Sequence, residues 1–192
     1  MAFAHDTEVA LGAAAALVNT APGLTDPEEL VTVEDLDNFV TEWGWTGRHC
    51  RSEDELVAVR ALRPRLRRIW EVDEDEVVDI VNGLLREFHA LPQLLKHDEW
   101  DYHLHATDQD APLPARMAVE AAMAIVDVVR SGELERLRLC QAPDCRDVVV
   151  DLSKNRSKRF CDSGCGNRMA AAAYRSRRSE PGRRSKVGPS DD

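Results

Sequence analysis

CQAPDCRDVVVDLSKNRSKRFCDSGCGNRMAAAAYRSRR, running from Cys140 to Arg178, holds four of the chain's five cysteines. They fall as two close pairs, Cys140/Cys145 with four residues between and Cys161/Cys165 with three, separated by fifteen residues. Short loops let each pair grip one ion, and the long spacer brings the pairs together around a tetrahedron. That is the arithmetic of a structural zinc site. Val148–Val150 reads as a strand, 151–157 as a polar turn and 158–160 as a returning strand, so a hairpin is expected between the pairs. Cys165 opens a helix-favouring run that contains Ala170–Ala173. The second pair then sits at a helix N-terminus, whose partial positive charge favours thiolate. A knuckle, a hairpin and a helix on one Zn2+ make a small treble-clef-like ββα module.

Two disulfides or an iron–sulfur cluster would also suit four cysteines. The Ala-rich start lacks a basic leader segment, and no apolar run approaches the ~18 residues of a membrane span. A reducing, cytoplasmic, bacterial setting is expected, in which disulfides are disfavoured. Strand and helix wrapping both pairs are the mark of a closed structural site rather than a cluster.

The same stretch is strongly basic. From Ser153 to Arg178 it carries Lys154, Arg156, Lys158, Arg159, Arg168, Arg175, Arg177 and Arg178 against one acid, Asp162. Such a footprint suits phosphate, and Arg168, Arg175 and Arg178 share a broad face at helical spacing. Some of these cations would only offset the net negative charge of zinc on four thiolates. The others need a partner, either nucleic acid or the acidic remainder of the chain.

The run RFCDSGCGNR, with Cys165-Gly166-Asn167-Arg168 as its signature, resembles the CGNR zinc finger, a bacterial C-terminal module usually taken to bind DNA. Leu17-Val18-Asn19-Thr20 resembles the opening motif of the ABATE domain that precedes such fingers, and 94–106 is similar to its later part. The resemblance implies that Cys140, Cys145, Cys161 and Cys165 bind one structural zinc, and that the chain is a stress-associated transcription regulator. It adds Asn167 to the nucleic-acid candidates. Gly166 would keep backbone clear beside the metal, Asn167 would bridge hairpin and helix, and Arg168 would be poised for phosphate. The chain departs from the family pattern twice. Many members have four residues rather than three between the last two cysteines, and many continue with basic residues where this chain has Met169 and four alanines.

Charge divides the chain. Residues 1–135 contain eleven Lys/Arg and twenty-eight Asp/Glu, a net −17, whereas 136–192 carry +7, within a total of −10. An acidic body with a basic arm is expected of a soluble regulator that meets nucleic acid. The expected organisation is a helical ABATE-like body at 1–135, a finger at 136–178 and a disordered tail at 179–192.

The body reads as mainly α with one β-hairpin. An Ala-rich helix spans 7–20, and Thr32 caps a second through Leu36, Phe39, Val40 and Trp43. Ser52 and Glu55 form a capping-box pattern before a helix toward Trp70, which Pro64 should bend or break. Its Arg60, Arg63, Arg65, Arg67 and Arg68 read as a solvated face paired with acids at 73–76, or as a site for an anionic effector. A fourth helix covers 73–88. Residues 93–96 and 101–105 flank His97-Asp98-Glu99-Trp100 as a hairpin, whose His97, His103 and His105 hold a second metal only if a further ligand exists. Cys50 has no partner at ligand-like spacing. The last body helix runs from Pro112 to about Arg130, and a short helical link covers 133–139.

No phosphate loop, Ser-His-Asp order or Cys-His pair is present, and four cysteines leave zinc no open position, so the chain does not read as an enzyme. The expected function is a zinc-containing DNA-binding regulator whose basic helix meets DNA phosphates while the body senses a signal or forms a homodimer. The alternatives are a zinc-stabilised protein-interaction module and an RNA binder; the finger lacks a row of aromatics for stacking unpaired bases.

Overall fold

The chain is described here in a computed structural model covering residues 2–24, 26–96 and 103–179, with backbone alone at His103 and Ser179. The body contains helices α1 (His5–Asn19), α2 (Val33–Glu42), α3 (Glu53–Arg67), α4 (Glu74–Glu87) and α5 (Leu113–Arg130), with hairpin β1 (Gln93–Leu95) and β2 (His103–His105) between α4 and α5. Strands β3 (Leu137–Leu139) and β4 (Val148–Val150) and helix α6 (Cys165–Ser179) follow. Among the described residues the fold is thus mainly helical, with one hairpin in the body and a second in the cysteine-bearing segment. The expected hairpin turn at 97–100, the start of its second strand at 101–102 and the tail at 180–192 lie outside the described residues.

α5 is the central helix and packs against α1, α3 and α4. Of the expected stripe of Met117, Ala121, Ala124, Ile125, Val128 and Val129, all are buried except Val129, which is partly so, and the helix also buries Ala118, Val119 and Ala122. Small residues on several faces let three helices approach one axis closely. Thr32 caps α2 reciprocally with Asp35. Glu55 behaves differently from the expected capping box: Ser52 Oγ accepts from its N–H, but its carboxylate reaches back to the N–H groups of Cys50 and Arg51 and to His49 Nδ1 at 2.7 Å. α3 runs on through Pro64. The N–H that proline lacks would have bonded the Arg60 carbonyl, and Arg63 Nε donates to that carbonyl instead, at 3.4 Å.

The arginines of α3 and the turn after it are paired. Arg63 is buried and bidentate on Glu28, Arg60 flanks the same carboxylate, Arg65 meets Glu87, Arg67 meets Glu71, and Arg68 meets Glu76. Only Glu76 among these partners belongs to the expected acidic run. The face is therefore already neutralised by the body.

The cysteine-bearing segment differs from expectation in its hairpin. β4 pairs antiparallel with β3, which precedes Cys140, in the register Leu137↔Val150, Arg138↔Val149, Leu139↔Val148. The helical link expected at 133–139 is a single tight turn at Leu134–Arg136 and then this strand. Residues 158–160 form no strand, and the Lys158 N–H that would start one is held by Asp151. Asp151 is fully buried, and its carboxylate accepts from Ser153 N at 3.0 Å, Ser153 Oγ at 2.5 Å and Lys158 N at 2.9 Å. Burial alone would raise the Asp151 carboxyl; these donors and Arg138 hold it below its ordinary range.

β4 joins two cores. Val148 and Val150 belong with Leu137 to the large core of the body, and Val149 to a second cluster with Cys140, Ala142, Cys161 and Cys165. Alternation along a strand puts successive side chains on opposite faces, so three valines seal both sides. The Asn19 side chain at the end of α1 clamps this strand: Nδ2 donates to the Val148 carbonyl at 3.0 Å, and Oδ1 accepts from the Val148 N–H at 2.7 Å. Trp70 Nε1 donates to the Val149 carbonyl at 3.2 Å, and Arg67 Nη2 to the Arg146 carbonyl at 2.7 Å.

Two predictions come from this packing. Asn19→Ala leaves a donor and an acceptor of Val148 without partners, and is expected to destabilise the protein by about 2–3 kcal/mol in denaturant unfolding. Glu120 on α5 is half-buried, and loss of its water, only partly offset by Arg116, raises its carboxyl from 4.5 to about 7. The folded state then keeps a proton that the unfolded state has released, so this group's contribution worsens as pH rises from 4.5 through 7. The stability of Glu120→Gln relative to the parent should therefore improve by about 2 kcal/mol between pH 5 and pH 8, measured by urea unfolding at both.

Candidate metal centre and basic helix

Cys140 and Cys145 sit at the tip of the β3–β4 hairpin. The Cys140 N–H continues the ladder to the Asp147 carbonyl at 2.8 Å, and Cys145 N closes a turn on the Ala142 carbonyl at 3.1 Å. The neighbouring Gln141 N–H reaches the Arg159 carbonyl at 2.9 Å, which brings the chain before Cys161 against the tip. Gly164, at φ +81, makes the left-handed turn that lets Cys165 start α6. Two local turns and one backbone bond thus converge all four cysteines.

Their sulfurs all lie within 4.8 Å of one another, and none is in a disulfide. Cys145 Sγ and Cys161 Sγ are 3.7 Å apart. Tetrahedral Zn2+ with Zn–S of ~2.3 Å requires ligands ~3.8 Å apart, so the set fits one structural zinc. Burial and the adjoining sulfurs push the Cys145 thiol well up; burial, with Asp147 and Cys165, pushes Cys161 up to about 12. For Cys140 burial is outweighed by N–H donors from Ala142 and Cys161, which bring it below its ordinary value. Sulfurs crowded in this way ionise together only when a cation offsets their charge. Further donors surround them: Cys161 N approaches Cys140 Sγ and Asp147 N approaches Cys145 Sγ, both at 3.4 Å, and Arg168 Nη2 approaches Cys165 Sγ at 3.2 Å.

The basic residues fall into two groups. Arg168 is shared between Cys165 Sγ and Asp144, at 2.9 Å from the latter, and these partners raise its guanidinium pKa further. Arg156 pairs with Glu133 at 2.7 Å and with Glu135, and Lys158 pairs with Asp162 at 2.9 Å. The Arg159 guanidinium lies 5.4 Å from the centre of the Phe160 ring. Arg178 donates to the Tyr174 hydroxyl at 3.3 Å. Lys154, Arg159, Arg175, Arg177 and Arg178 have no carboxylate partner among the described residues. Arg175, Arg177 and Arg178 stand together at the end of α6, which is exposed on most sides after Met169, Tyr174 to 55%.

The signature triplet behaves differently from its expected roles. Asn167 is exposed, with no hydrogen bond to any described residue, so it does not bridge hairpin and helix. A methyl group at Gly166 would stand 3.5 Å from the Phe160 ring, an ordinary contact, so close approach does not require glycine there. Of the histidines, His105 lies on β2; His97 and the side chain of His103 are outside the described residues, and the cluster of four cysteines is the one metal-ligating group among those described. Cys50 is exposed, away from this group.

Sequence reasoning missed Asp151 and the docking role of Asn19 and Trp70. The Asp-x-Ser spacing of Asp151 and Ser153 is a turn signal that could have identified the first. Nothing local marks the other two, because each bonds backbone far along the chain.

A family model of the CGNR zinc finger matches residues 136–178. A second, ABATE, described as "Putative stress-induced transcription regulator", matches residues 11–132. A search of curated proteins returned no match. The ABATE match covers more than half of the sequence and meets the finger match in the same order as the two cores that share β4, and on that ground the chain belongs to the ABATE family, with a CGNR zinc finger after the family's domain.

Proposed function

We propose that the protein is a DNA-binding transcription regulator in which Cys140, Cys145, Cys161 and Cys165 hold one structural zinc and present α6 to DNA phosphates. The observation that carries this reading is the free end of α6. Arg175, Arg177 and Arg178 lie on an exposed helix without carboxylate partners among the described residues, on a chain whose body is strongly acidic. An acidic body repels the same polyanion, so contact is restricted to the protruding arm.

The pairing of the other cations refines which residues make that contact. Arg156 is engaged by Glu133 and Glu135 at the end of the body, Lys158 by Asp162, and Arg168 by Asp144 and the Cys165 sulfur. They orient the link and the metal site, and add less to phosphate binding than α6 does. Lys154, Arg159 and the exposed Asn167 flank the same module and are the secondary contacts. The body is the sensing or dimerising part, and no catalytic role is assigned to either part. No helix among the described residues is long and apolar enough to cross a membrane.

Zinc removal tests the metal assignment. Cys165→Ser should lose the single zinc and release 158–179 to rapid hydrogen exchange, while α1–α5 keep their protection, since that core is built from the body's own residues. Retention of stoichiometric zinc by the variant would remove Cys165 from the ligand set.

A salt series tests the partner. The zinc-loaded chain should bind duplex DNA with an affinity that falls steeply with salt. Replacing Arg175, Arg177 and Arg178 by Ala should lower the log–log slope by about 2–3, whereas Arg156→Ala should change it by less than about 1. Equal binding to single-stranded RNA would favour the RNA alternative. A zinc-loaded chain that binds neither polymer would overturn this reading in favour of a protein-interaction module.

A further inference from the structure

Beside the first half of α1 lies a half-open cavity of about 190 Å³, bordered by the turn after α2, by β2 and by α5. An apolar cavity of ~150 Å³ accepts benzene, so this one has room for a compact organic molecule. Ala10, Ala13, Trp43, Trp45, Met123 and Ala124 provide most of its apolar wall. Its acids are Asp6, Glu120 and Asp127; His105 on β2 also lines it, and no Lys or Arg is among the described residues that do.

The polar groups are unevenly satisfied. Asp127 accepts from Thr7 Oγ1 at 2.7 Å, and Asp6 accepts from the Thr7 N–H at 2.9 Å. The Glu120 carboxylate has no hydrogen bond or ion pair with a described residue. Its neighbour on α5, Arg116, is turned away and committed to the carbonyls of Thr46, Arg48 and Ala111. The Trp45 indole N–H is buried and finds no acceptor among the described residues. A half-buried carboxylate with no hydrogen bond or ion pair among the described residues, and only the distant charge of Arg116 to offset it, is costly in an otherwise finished fold.

An organic cation answers the carboxylates and the apolar wall together, while it offers the Trp45 N–H no acceptor. A cation offsets the carboxylates, and the low-dielectric wall strengthens that attraction. A bare hydrated ion would waste the apolar wall, whereas an ammonium on a hydrocarbon body buries its apolar part and sets its charge beside indole faces. The geometry points to this cavity as a binding site for a compact organic ammonium ion, with Glu120 as its counter-charge and Trp43 and Trp45 as the walls that hold its apolar body. This assignment goes beyond the DNA-binding reading and stands whether or not α6 meets DNA.

The test uses the full, zinc-loaded chain at pH 8 with three probes of equal size: 2-phenylethylamine, 2-phenylethanol and phenylacetate. Binding is followed by tryptophan fluorescence and titration calorimetry. The amine is expected to saturate at one per chain, with the alcohol at least about tenfold weaker and the acid weaker still. Glu120→Gln should weaken the amine about tenfold and leave the alcohol unchanged, with zinc content and helical signal as in the parent. Glu34→Gln, on the solvent side of α2, should change neither. Failure of the amine to saturate would overturn the assignment, as would equal affinity for amine and alcohol or full amine affinity in Glu120→Gln. None of these readouts uses DNA, so they separate this site from the fate of the regulator reading.

Discussion

The backbone of Val148 and Val149 is the point on which the two parts of the molecule depend. A three-residue strand at the edge of a two-stranded sheet has polar groups that its partner does not satisfy, and here the body provides the missing donors and acceptors through Asn19 and Trp70. With that done, the side chains of β4 alternate between the helical core and the cysteine cluster. The finger's first two cysteines are then placed by a hairpin that the body holds, and only the second pair depends wholly on the metal and the loop before it. A small module with few apolar residues gains from this arrangement, since neither the hairpin nor the metal site alone buries much surface.

Electrostatics divides the basic residues by the same logic. Four thiolates around a divalent ion leave net negative charge, and Arg168 lies against it. Arg136 is buried and spans Glu133 and the carbonyls of Asp151 and Ser153, so it ties the link to the loop that Asp151 organises. Arg156 and Arg138 brace the same loop from outside. Cations that look equivalent in a charge count thus do different work: those near the cysteines stabilise the module, and those at the far end of α6 remain available. On the proposed DNA-binding reading, a single finger with so few available cations would bind a polyanion weakly, and pairing two chains or adding a second surface would raise its affinity.

Features encoded by neighbours in sequence were legible, and those encoded by distant backbone were not. The four cysteines announced one metal site through spacing, and Thr32, Ser52 and the alanine runs announced helices through caps and propensity. The stretch ELERLRL is built from good helix formers, yet its second half is strand, because Leu137 meets the body core and its backbone meets β4. Lys158–Phe160 had the look of a returning strand, but the buried carboxylate of Asp151, seven residues before Lys158, had already claimed the first backbone N–H there. Pro64 marked a break that an arginine side chain offsets by supplying the missing donor. The cavity could not be read at all, since its wall is drawn from α1, the turn after α2, β2 and α5, and no short motif spans them.

α1 gives these separate features a common element. Its first half forms one side of the cavity, and its last residue, Asn19, holds β4. Thr20, next in the chain, donates to the Leu17 carbonyl and accepts from Arg63, whose guanidinium is fixed on Glu28, so the end of α1 is pinned in a buried polar network. One helix thus carries both a wall of the cavity and the clamp on the Val148 backbone. The Leu17-Val18-Asn19-Thr20 stretch therefore has a physical reason to be a motif. Leu17 and Val18 seal the core, Thr20 anchors the helix end, and Asn19 connects that helix to the hairpin carrying the first two cysteines.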